Sequence, residues 1–230
     1  MSSDPSKQKA RAADHAAAYV HSGMVIGLGT GATATLFVRR LAERIAQGDL
    51  TNVVGIPTST QIEAEAKRLN FPLSTLEDHP QIDLTVDGAD EVDPQLNLIK
   101  GGGGALLREK IVAQASKREV IVVDEAKLSP VLGTQWHVPI EVIPFGWRTQ
   151  VAYLTEIGGN VVLRQGKEGQ PFITDQGNYI LDTHFGLIAD PVSLATTLKQ
   201  RVGIVEHGLF VNLAHEVIIG TDDGVRILSA

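Results

Sequence analysis

Apolar and polar positions follow two different spacings along this chain. Short runs of valine, isoleucine and leucine, typical of buried strands, are separated by longer segments typical of amphipathic helices. In the first half the predicted strands are residues 24–28, 52–56, 82–86 and 119–123, and the predicted helices are residues 6–21, 32–46, 60–69 and 104–116. Thr60 and Glu63 have the spacing of a capping box at the third helix. This alternation predicts a parallel sheet with crossover helices.

The pattern changes near Pro130, where prolines begin to punctuate the chain. From there the predicted elements are strands at 138–143, 161–164, 171–174 and 179–182, a hairpin turn at 175–178, and helices at 147–157 and 192–201. This mixture predicts a small α+β domain. The last predicted strands, 216–220 and 225–228, could rejoin the first sheet, which would make the small domain an insertion.

Composition and charge narrow the function classes. The chain has 230 residues, a formal net charge of −7 and no cysteine. The negative charge argues against a general nucleic-acid or anionic-membrane surface, although a phosphorylated ligand needs only local positive potential. The lack of cysteine excludes a disulfide framework, a thiol nucleophile and a cysteine metal site. Without a signal-peptide pattern or an apolar run long enough to span a bilayer, we expect a soluble, cytoplasmic protein.

The first candidate loop, GLGTGAT at residues 27–33, follows a predicted strand and precedes a predicted helix. It fits a loose dinucleotide fingerprint, but no acidic residue follows the second strand to hold a ribose. What remains is a glycine loop with the hydroxyls of Thr30 and Thr33 and with backbone donors at a helix start, which suits phosphate or sugar hydroxyls. The alternative is a tight strand-to-helix turn that binds nothing.

The second candidate loop, TVDGADEVD at residues 85–93, follows the third predicted strand. Ligands of open α/β sheets lie outside the carboxyl ends of the strands, where this acidic loop should be. Its carboxylates are not spaced as in a calcium loop, and no histidine is near enough in sequence to complete a transition-metal set. A solvated acidic turn is the alternative.

The third candidate loop places four glycines between Lys100 and a predicted helix that carries Glu109. Such a run opposes folding, because glycine loses the most backbone freedom when it is ordered. It could let a ligand lie against the backbone, or it could be a flexible connector. The triplet Arg-Glu-Lys at 108–110 could equally be an exposed charged face.

All three loops follow, or lie close after, strands of one predicted sheet, so they could converge at one edge. They offer hydroxyls and backbone donors, then carboxylates, then a lysine and a glutamate. Proton transfer by a carboxylate, with a cation near the developing oxyanion, is the chemistry that such groups support.

Six motifs, in order, resemble the ribose-5-phosphate isomerase type A family. They are GLGTGATA at 27–34, TVDGADEVD at 85–93, KGGGGALLREK at 100–110, VVDEAK at 122–127, VEHGLF at 205–210 and GTDDGV at 220–225. The resemblance spans nearly the whole chain. It implies interconversion of ribose 5-phosphate and ribulose 5-phosphate, a pentose phosphate substrate, and no metal or organic cofactor.

The resemblance also implies roles for individual residues. Glu109 would move a proton between carbon 1 and carbon 2 through an enediolate, while Asp87 and Asp90 would hold sugar hydroxyls and help to open the ring. Lys100 and Lys127 would supply positive charge. The implied substrate-binding residues are Thr30, Gly31, Ala32, Thr33, Asp87, Gly88, Ala89, Asp90, Lys100, Gly101, Gly102, Gly103 and Lys127. The family commonly has serine where this chain has Ala32, which removes one hydroxyl.

The fold class expected from the pattern and the resemblance is α/β. It comprises a Rossmann-like open, mainly parallel sheet flanked by helices, and an inserted small α+β domain of ferredoxin or ACT type. We predict domain boundaries at 1–133 with 205–230 for the first domain and at 134–204 for the second. The family implies a homodimer, or a tetramer made of two dimers, with no nucleic-acid or membrane partner.

Two other functions compete with the isomerase. A sugar-phosphate sensor would bind the same ligand without turnover, but related regulators carry a DNA-binding helix-turn-helix, and we expect only one helix before the first strand. Retention of Asp87, Asp90, Lys100 and Glu109 also favours turnover. A nucleotide-dependent oxidoreductase is disfavoured by the missing acid after the second strand.

Overall fold

A computed structural model describes residues 4–229, apart from the side chain of Glu168, and the described part forms two compact units. The first unit draws on Met1–Ala89, Arg108–Lys127 and Leu213–Ala230, and the second comprises Asp90–Leu107 and Leu128–Asn212. The α-helices in the described range are α1 (Pro5–Ala17), α2 (Ala32–Ala46), α3 (Thr60–Arg68), α4 (Leu106–Gln114), α5 (Trp147–Glu156) and α6 (Pro191–Lys199).

The strands of the first unit form a six-stranded sheet. They are β1 (Val25–Leu28), β2 (Val54–Pro57), β3 (Leu84–Asp87), β6 (Glu119–Asp124), β12 (Glu216–Gly220) and β13 (Val225–Ser229). The order is β13-β12-β6-β3-β1-β2, and every neighbouring pair is parallel except β12 with β13. The predicted parallel sheet, flanked by helices and completed by the last two strands of the chain, is therefore confirmed.

The strands of the second unit form two antiparallel sheets. They are β4 (Glu91–Val92), β5 (Leu98–Ile99), β7 (Val138–Val142), β8 (Asn160–Leu163), β9 (Tyr179–His184), β10 (Ile204–His207) and β11 (Leu209–Phe210). The larger sheet has the order β10-β7-β9-β8, and the smaller has the order β11-β5-β4. Apolar side chains of the larger sheet and of α5 and α6 share one buried cluster, as expected of a small α+β domain. The fold-class prediction is confirmed.

The sequence patterns misplaced several local features. Residues 171–174 were predicted as a strand, but Pro171 makes an isolated bridge with Gln165 and residues 172–174 are not in a strand. The cap of α3 is Ser59, whose hydroxyl accepts the N–H of Ile62 at 3.2 Å, and Thr60 is already helical. The short strands β4, β5, β10 and β11 were missed, since two to four residues give too little periodicity.

The domain boundaries remain a prediction. By their internal contacts, residues 90–107, 128–133 and 205–212 lie in the second compact unit, whereas the sequence pattern assigned them to the first domain. No helix of the described residues is long and apolar enough to cross a membrane.

Helix α1 packs on the first sheet with very little space between the two backbones. Its buried face consists of small residues, including Ala12, Ala13 and Ala16. At its N-terminus the carboxylate of Asp222 accepts the N–H of Asp4 at 3.2 Å and the side-chain amide of Gln8 at 2.9 Å. A Cβ atom at Gly220 would lie 1.8 Å from the carbonyl oxygen of Gln8, so α1 can dock only because residue 220 is glycine.

We expect Gly220→Ala to lower the free energy of unfolding by about 2–3 kcal/mol, because α1 would have to move away from the sheet. The matched control is Gly224→Ala in the following turn, where a Cβ would have nothing within 4 Å. It should change stability by less than about 0.5 kcal/mol. Urea unfolding of the three proteins measures both values. Equal stability of the two variants would contradict the close packing of α1.

Candidate active site

Two glycines at the β1–α2 connection, Gly27 and Gly29, are required by close contact with the neighbouring strand, β3. β1 and β3 pair in parallel with Gly27 opposite Thr85. A Cβ at Gly27 would lie 1.8 Å from the hydroxyl of Thr85, and one at Gly29 would lie 2.4 Å from Oδ1 of Asp87. These glycines, which fitted the loose dinucleotide fingerprint, are therefore needed for strand packing whether or not a ligand binds.

Asp87 ties this loop to the end of β3. It is fully buried, and its Oδ1 accepts the N–H of Thr30 at 3.0 Å and of Gly88 at 2.7 Å. The hydroxyl of Thr30 is engaged by Thr58 at 2.8 Å and by Ser59 at 2.7 Å. The structure thus brings two predicted site residues, Thr30 and Asp87, into direct contact and holds the Thr30 hydroxyl within the protein.

The N-terminus of α2 presents backbone donors. Gly31 is its N-cap residue, with a φ of 106° and no side-chain cap. Ala32 is exposed at the first helical position, while Thr33 is buried. The first N–H groups of a helix have no partner within the helix and carry the positive end of its dipole. An uncapped N-terminus of this kind favours an anion.

A cavity of about 310 Å³ opens beside this loop, between α2 and α3. Arg39 and Arg68 line it, and both donate to Glu65, at 2.7 Å from Nε of Arg39 and 2.9 Å from Nε of Arg68. The hydrogen bonds from Arg68 and then from Arg39 lower the pKa of Glu65 to about 2. Glu65 therefore stays ionised and keeps the two guanidinium groups in place at neutral pH.

Glu109 lies in the first turn of α4 and is only 5% exposed, and the next residue, Lys110, is 6% exposed. The alternative of an exposed charged face at residues 108–110 is therefore wrong. Sequence spacing could not reveal this, because α4 is short and is buried on more than one side.

Lys127 ends a short 3-10 helix, Glu125–Lys127, directly after β6. At the end of that strand Asp124 is buried and pairs with Lys9 of α1 at 3.6 Å. Both lysines thus lie near the carboxyl end of β6, in the first unit. Charged groups at the carboxyl ends of parallel strands are where the ligands of such sheets bind.

In the second unit, strand register places Asp90 beside Lys100. β4 and β5 pair antiparallel with Glu91 opposite Ile99, so the residues just outside this pair are also opposite each other. The N–H of Asp90 donates to the carbonyl of Ile99 at 2.8 Å, and the N–H of Lys100 donates to Gly208 at 2.9 Å. The ammonium of Lys100 lies 5.3 Å from the ring centroid of Phe210, and Lys100 is 2% exposed.

The glycine loop after Lys100 is packed tightly by the protein itself. The N–H of Gly102 donates to Oδ2 of Asp90 at 2.7 Å, and a Cβ at Gly102 would lie 2.8 Å from Oδ1 of that carboxylate. Gly101 and Gly104 have φ values of 102° and 83°, and a Cβ at Gly104 would lie 2.5 Å from the ring of Phe172. The loop is therefore an ordered turn against a carboxylate, and the alternative of a flexible connector is wrong.

Two carboxylates of the acidic stretch, those of Glu91 and Asp93, accept backbone N–H groups of nearby loops. Glu91 is fully buried and accepts four consecutive backbone N–H groups, from residues 133 to 136, at 2.9–3.2 Å. Asp93 accepts the N–H groups of Gln95 and Asn97 at 2.9 and 2.8 Å. These two acids shape loops. Within residues 4–229 no group of three or more histidine, cysteine or acidic side chains is placed to hold a metal ion.

One side chain that contacts the glycine loop carries no signal in the sequence. Arg164, directly after β8, donates to the carbonyls of Gly101 and Gly102. It lies more than sixty residues away along the chain, in a segment without a recognisable motif. Predicting the contact of Arg164 with the glycine loop would require knowing that β8 pairs with β9 and how the glycine loop turns.

Comparison with known proteins assigns the family. The sequence profile of ribose 5-phosphate isomerase A (phosphoriboisomerase A) matches residues 54–224. A ribose-5-phosphate isomerase A from Chloroflexus aurantiacus is 55% identical over 219 residues, covering 95% of this chain and 92% of the relative. The chain belongs to the ribose-5-phosphate isomerase A family. A second relative, from Desulfatibacillum aliphaticivorans, is 49% identical over 222 residues and covers 96% of each chain.

Solved structures of ribose-5-phosphate isomerases agree with this assignment. One, a complex with phospho-erythronic acid, superposes with a TM-score of 0.97 at 40% identity, covering 99% of this chain and 100% of that one. The Plasmodium falciparum enzyme superposes with a TM-score of 0.93 at 43% identity, covering 98% of each. The family resemblance is confirmed. This chain is an aldose–ketose isomerase that interconverts ribose 5-phosphate and ribulose 5-phosphate.

We expect Glu91→Gln to lower the free energy of unfolding by about 2–4 kcal/mol. In the wild type, four backbone N–H groups share the carboxylate of Glu91. A glutamine amide would direct an NH₂ group, which is itself a donor, toward some of them. Glu77→Gln, at an exposed position, is the control and should be neutral. Thermal and urea unfolding measure the difference. Wild-type stability of Glu91→Gln would show that the four N–H groups do not need both oxygens of the Glu91 carboxyl group.

Proposed function

We propose that Glu109 is the base of the isomerase reaction and carries the proton between carbon 1 and carbon 2 of the open-chain sugar through an enediolate. The observation that supports this role is the burial of an acidic side chain in the first turn of α4, within a motif of the family. A buried carboxylate is held in one place and shielded from water, as a general base requires. Such a base contributes roughly 10²–10⁴-fold to the rate.

The enediolate needs stabilisation of its developing negative charge. We assign this to the ammonium of Lys100 and to the backbone N–H of Gly103 in the glycine loop, since the N–H groups of Gly102 and Gly104 donate to Asp90 and Gly101. Lys100 is almost fully buried, where a positive charge acts more strongly than in water. Loss of one such donor typically costs about 10²–10³-fold in rate. With these groups the reaction proceeds without metal or organic cofactor.

Asp87 and Asp90 are assigned to the sugar hydroxyls and to ring opening. Each uses one carboxylate oxygen to hold backbone N–H groups: Oδ1 of Asp87 and Oδ2 of Asp90. These hydrogen bonds help to fix the orientation of each carboxylate. Gly88 and Ala89, between the two acids, would bind through their backbone.

The phosphate group is assigned to the β1–α2 loop and to Lys127. Because the hydroxyl of Thr30 already bonds Thr58 and Ser59 and its N–H donates to Asp87, the loop would contribute backbone N–H groups of residues 31–33 and the hydroxyl of Thr33. The N–H of Ala32 is unaffected by the lack of a serine hydroxyl. A related isomerase in complex with phospho-erythronic acid supports a phosphorylated ligand for this chain as well.

The decisive experiment follows ribose 5-phosphate in deuterium oxide with wild type, Glu109→Gln and the exposed control Glu156→Gln. Wild type and control should form ribulose 5-phosphate and exchange the carbon-bound proton, with or without EDTA. Glu109→Gln should lose at least about 10²-fold in kcat because the base is gone. Ketose formation by Glu109→Gln at the wild-type rate would overturn the role of Glu109. Binding of the sugar by wild type without turnover would support the sensor instead.

We also propose that the chain acts in the cytoplasm as a homodimer, or as a tetramer made of two dimers. Size-exclusion chromatography with light scattering should give about two or four times the 24.6 kDa of one chain. A mass equal to one chain at micromolar concentration would contradict this assembly.

A further inference from the structure

Arg164 holds the glycine loop by its carbonyl groups. Its Nη1 donates to the oxygen of Gly101 at 2.8 Å and to that of Gly102 at 3.1 Å. The side chain is only 13% exposed, although it follows an edge strand. The carbonyl of Gly101 also accepts the N–H of Gly104 at 2.9 Å, which closes the turn.

The guanidinium group of Arg164 is itself fixed on its other side. Its Nε donates to Oδ2 of Asp182 at 2.9 Å, and its Nη2 donates to Oδ1 of the same carboxylate. Nε2 of His137 lies 3.0 Å from Oδ1 of Asp182. Burial alone would raise the pKa of Asp182, but the hydrogen bonds from His137 and Arg164 outweigh it and the pKa is lowered. Asp182 is therefore ionised at neutral pH and anchors Arg164 bidentately.

We propose that Arg164 is a positioning residue of the isomerase, which fixes the peptide groups of the glycine loop so that the N–H of Gly102 holds Asp90 and the N–H of Gly103 faces the reacting sugar. This inference rests on the proposed role of that loop in stabilising the enediolate. Arg164 reaches the loop through the carbonyl oxygens of Gly101 and Gly102, so the proposed role acts through the backbone.

Peptide geometry gives the direction of this effect. A peptide group is planar and trans, so its C=O and N–H point to opposite sides. The carbonyl of Gly101 shares a peptide with the N–H of Gly102, and the carbonyl of Gly102 shares one with the N–H of Gly103. Because Arg164 binds both carbonyl oxygens, both N–H groups point away from its guanidinium group. One of them, from Gly102, meets the carboxylate of Asp90, and Gly103 is exposed.

Two physical effects make this orientation matter for rate. Ordering consecutive glycines is entropically costly, so without an anchor the peptides would sample many orientations. A charge-assisted bond to a carbonyl also polarises the peptide and strengthens the hydrogen bonds of its N–H. Both effects act on charge that develops in the transition state, so they should appear in kcat more than in KM.

The test compares Arg164→Lys and Arg164→Ala with Arg148→Lys, an exposed arginine of the same unit that stacks on Trp147. A lysine cannot bridge two carbonyls and two carboxylate oxygens with one ammonium group. We expect a fall of about 10- to 100-fold in kcat for both Arg164 variants, as misplaced catalytic groups usually cause. KM should change by less than about threefold, and Arg148→Lys should behave as wild type. Added guanidinium ion should partly restore kcat in Arg164→Ala, but not in Arg164→Lys.

Asp182→Asn provides a second route if the Arg164 variants fold poorly. It keeps the arginine but weakens its anchor, so it should also lower kcat more than it changes KM. Wild-type kcat in folded Arg164→Lys, or in Asp182→Asn if Arg164→Lys does not fold, would overturn the inference. A rise in KM alone would do so too. Glu109→Gln, measured in parallel, separates the two proposals. If Glu109→Gln loses turnover while the Arg164 variants keep the wild-type kcat, Glu109 remains the proposed base and only the role of Arg164 is overturned.

Discussion

Carboxylates that accept backbone N–H groups organise this protein, and four of them come from the stretch at residues 85–93. Asp87 holds the β1–α2 loop, and Asp90 holds the glycine loop. Glu91 gathers the N–H groups of residues 133–136, and Asp93 closes the turn between β4 and β5. Each loop is fixed by a carboxyl group that accepts backbone N–H groups lacking a ladder partner.

This constraint explains the glycines better than flexibility does. At two positions a carboxylate lies so close to the backbone that a side chain would clash with it: a Cβ at Gly29 would lie 2.4 Å from Oδ1 of Asp87, and one at Gly102 would lie 2.8 Å from Oδ1 of Asp90. The entropic cost of ordering these residues is offset by charge-assisted hydrogen bonds. The loops that carry the proposed chemistry are therefore held before a ligand arrives, which is what electrostatic stabilisation of a transition state requires.

Sequence patterns predicted the parts of the fold that depend on long periodic segments. Helix α2 was predicted at its observed bounds, and the return of β12 and β13 to the first sheet was also predicted. The short strands β4, β5 and β11 were not, because their pairing is set by tertiary contacts and not by hydrophobic period. The motifs indicated the candidate site residues, but not the burial of Glu109 or the contact of Arg164 with the glycine loop. Burial and long-range contacts arise from packing, which no local spacing encodes.

The pairing of Asp90 with Gly102 also limits how this enzyme can change over generations. A side chain at position 102 would place its Cβ 2.8 Å from Oδ1 of Asp90, so the carboxylate would have to turn away from the N–H of Gly102 that it accepts. If residue 90 were shortened first, the N–H of Gly102 would lose its acceptor, and the turn held by that hydrogen bond would no longer be anchored. Both single steps pass through an impaired intermediate, so the two positions are expected to vary together or not at all.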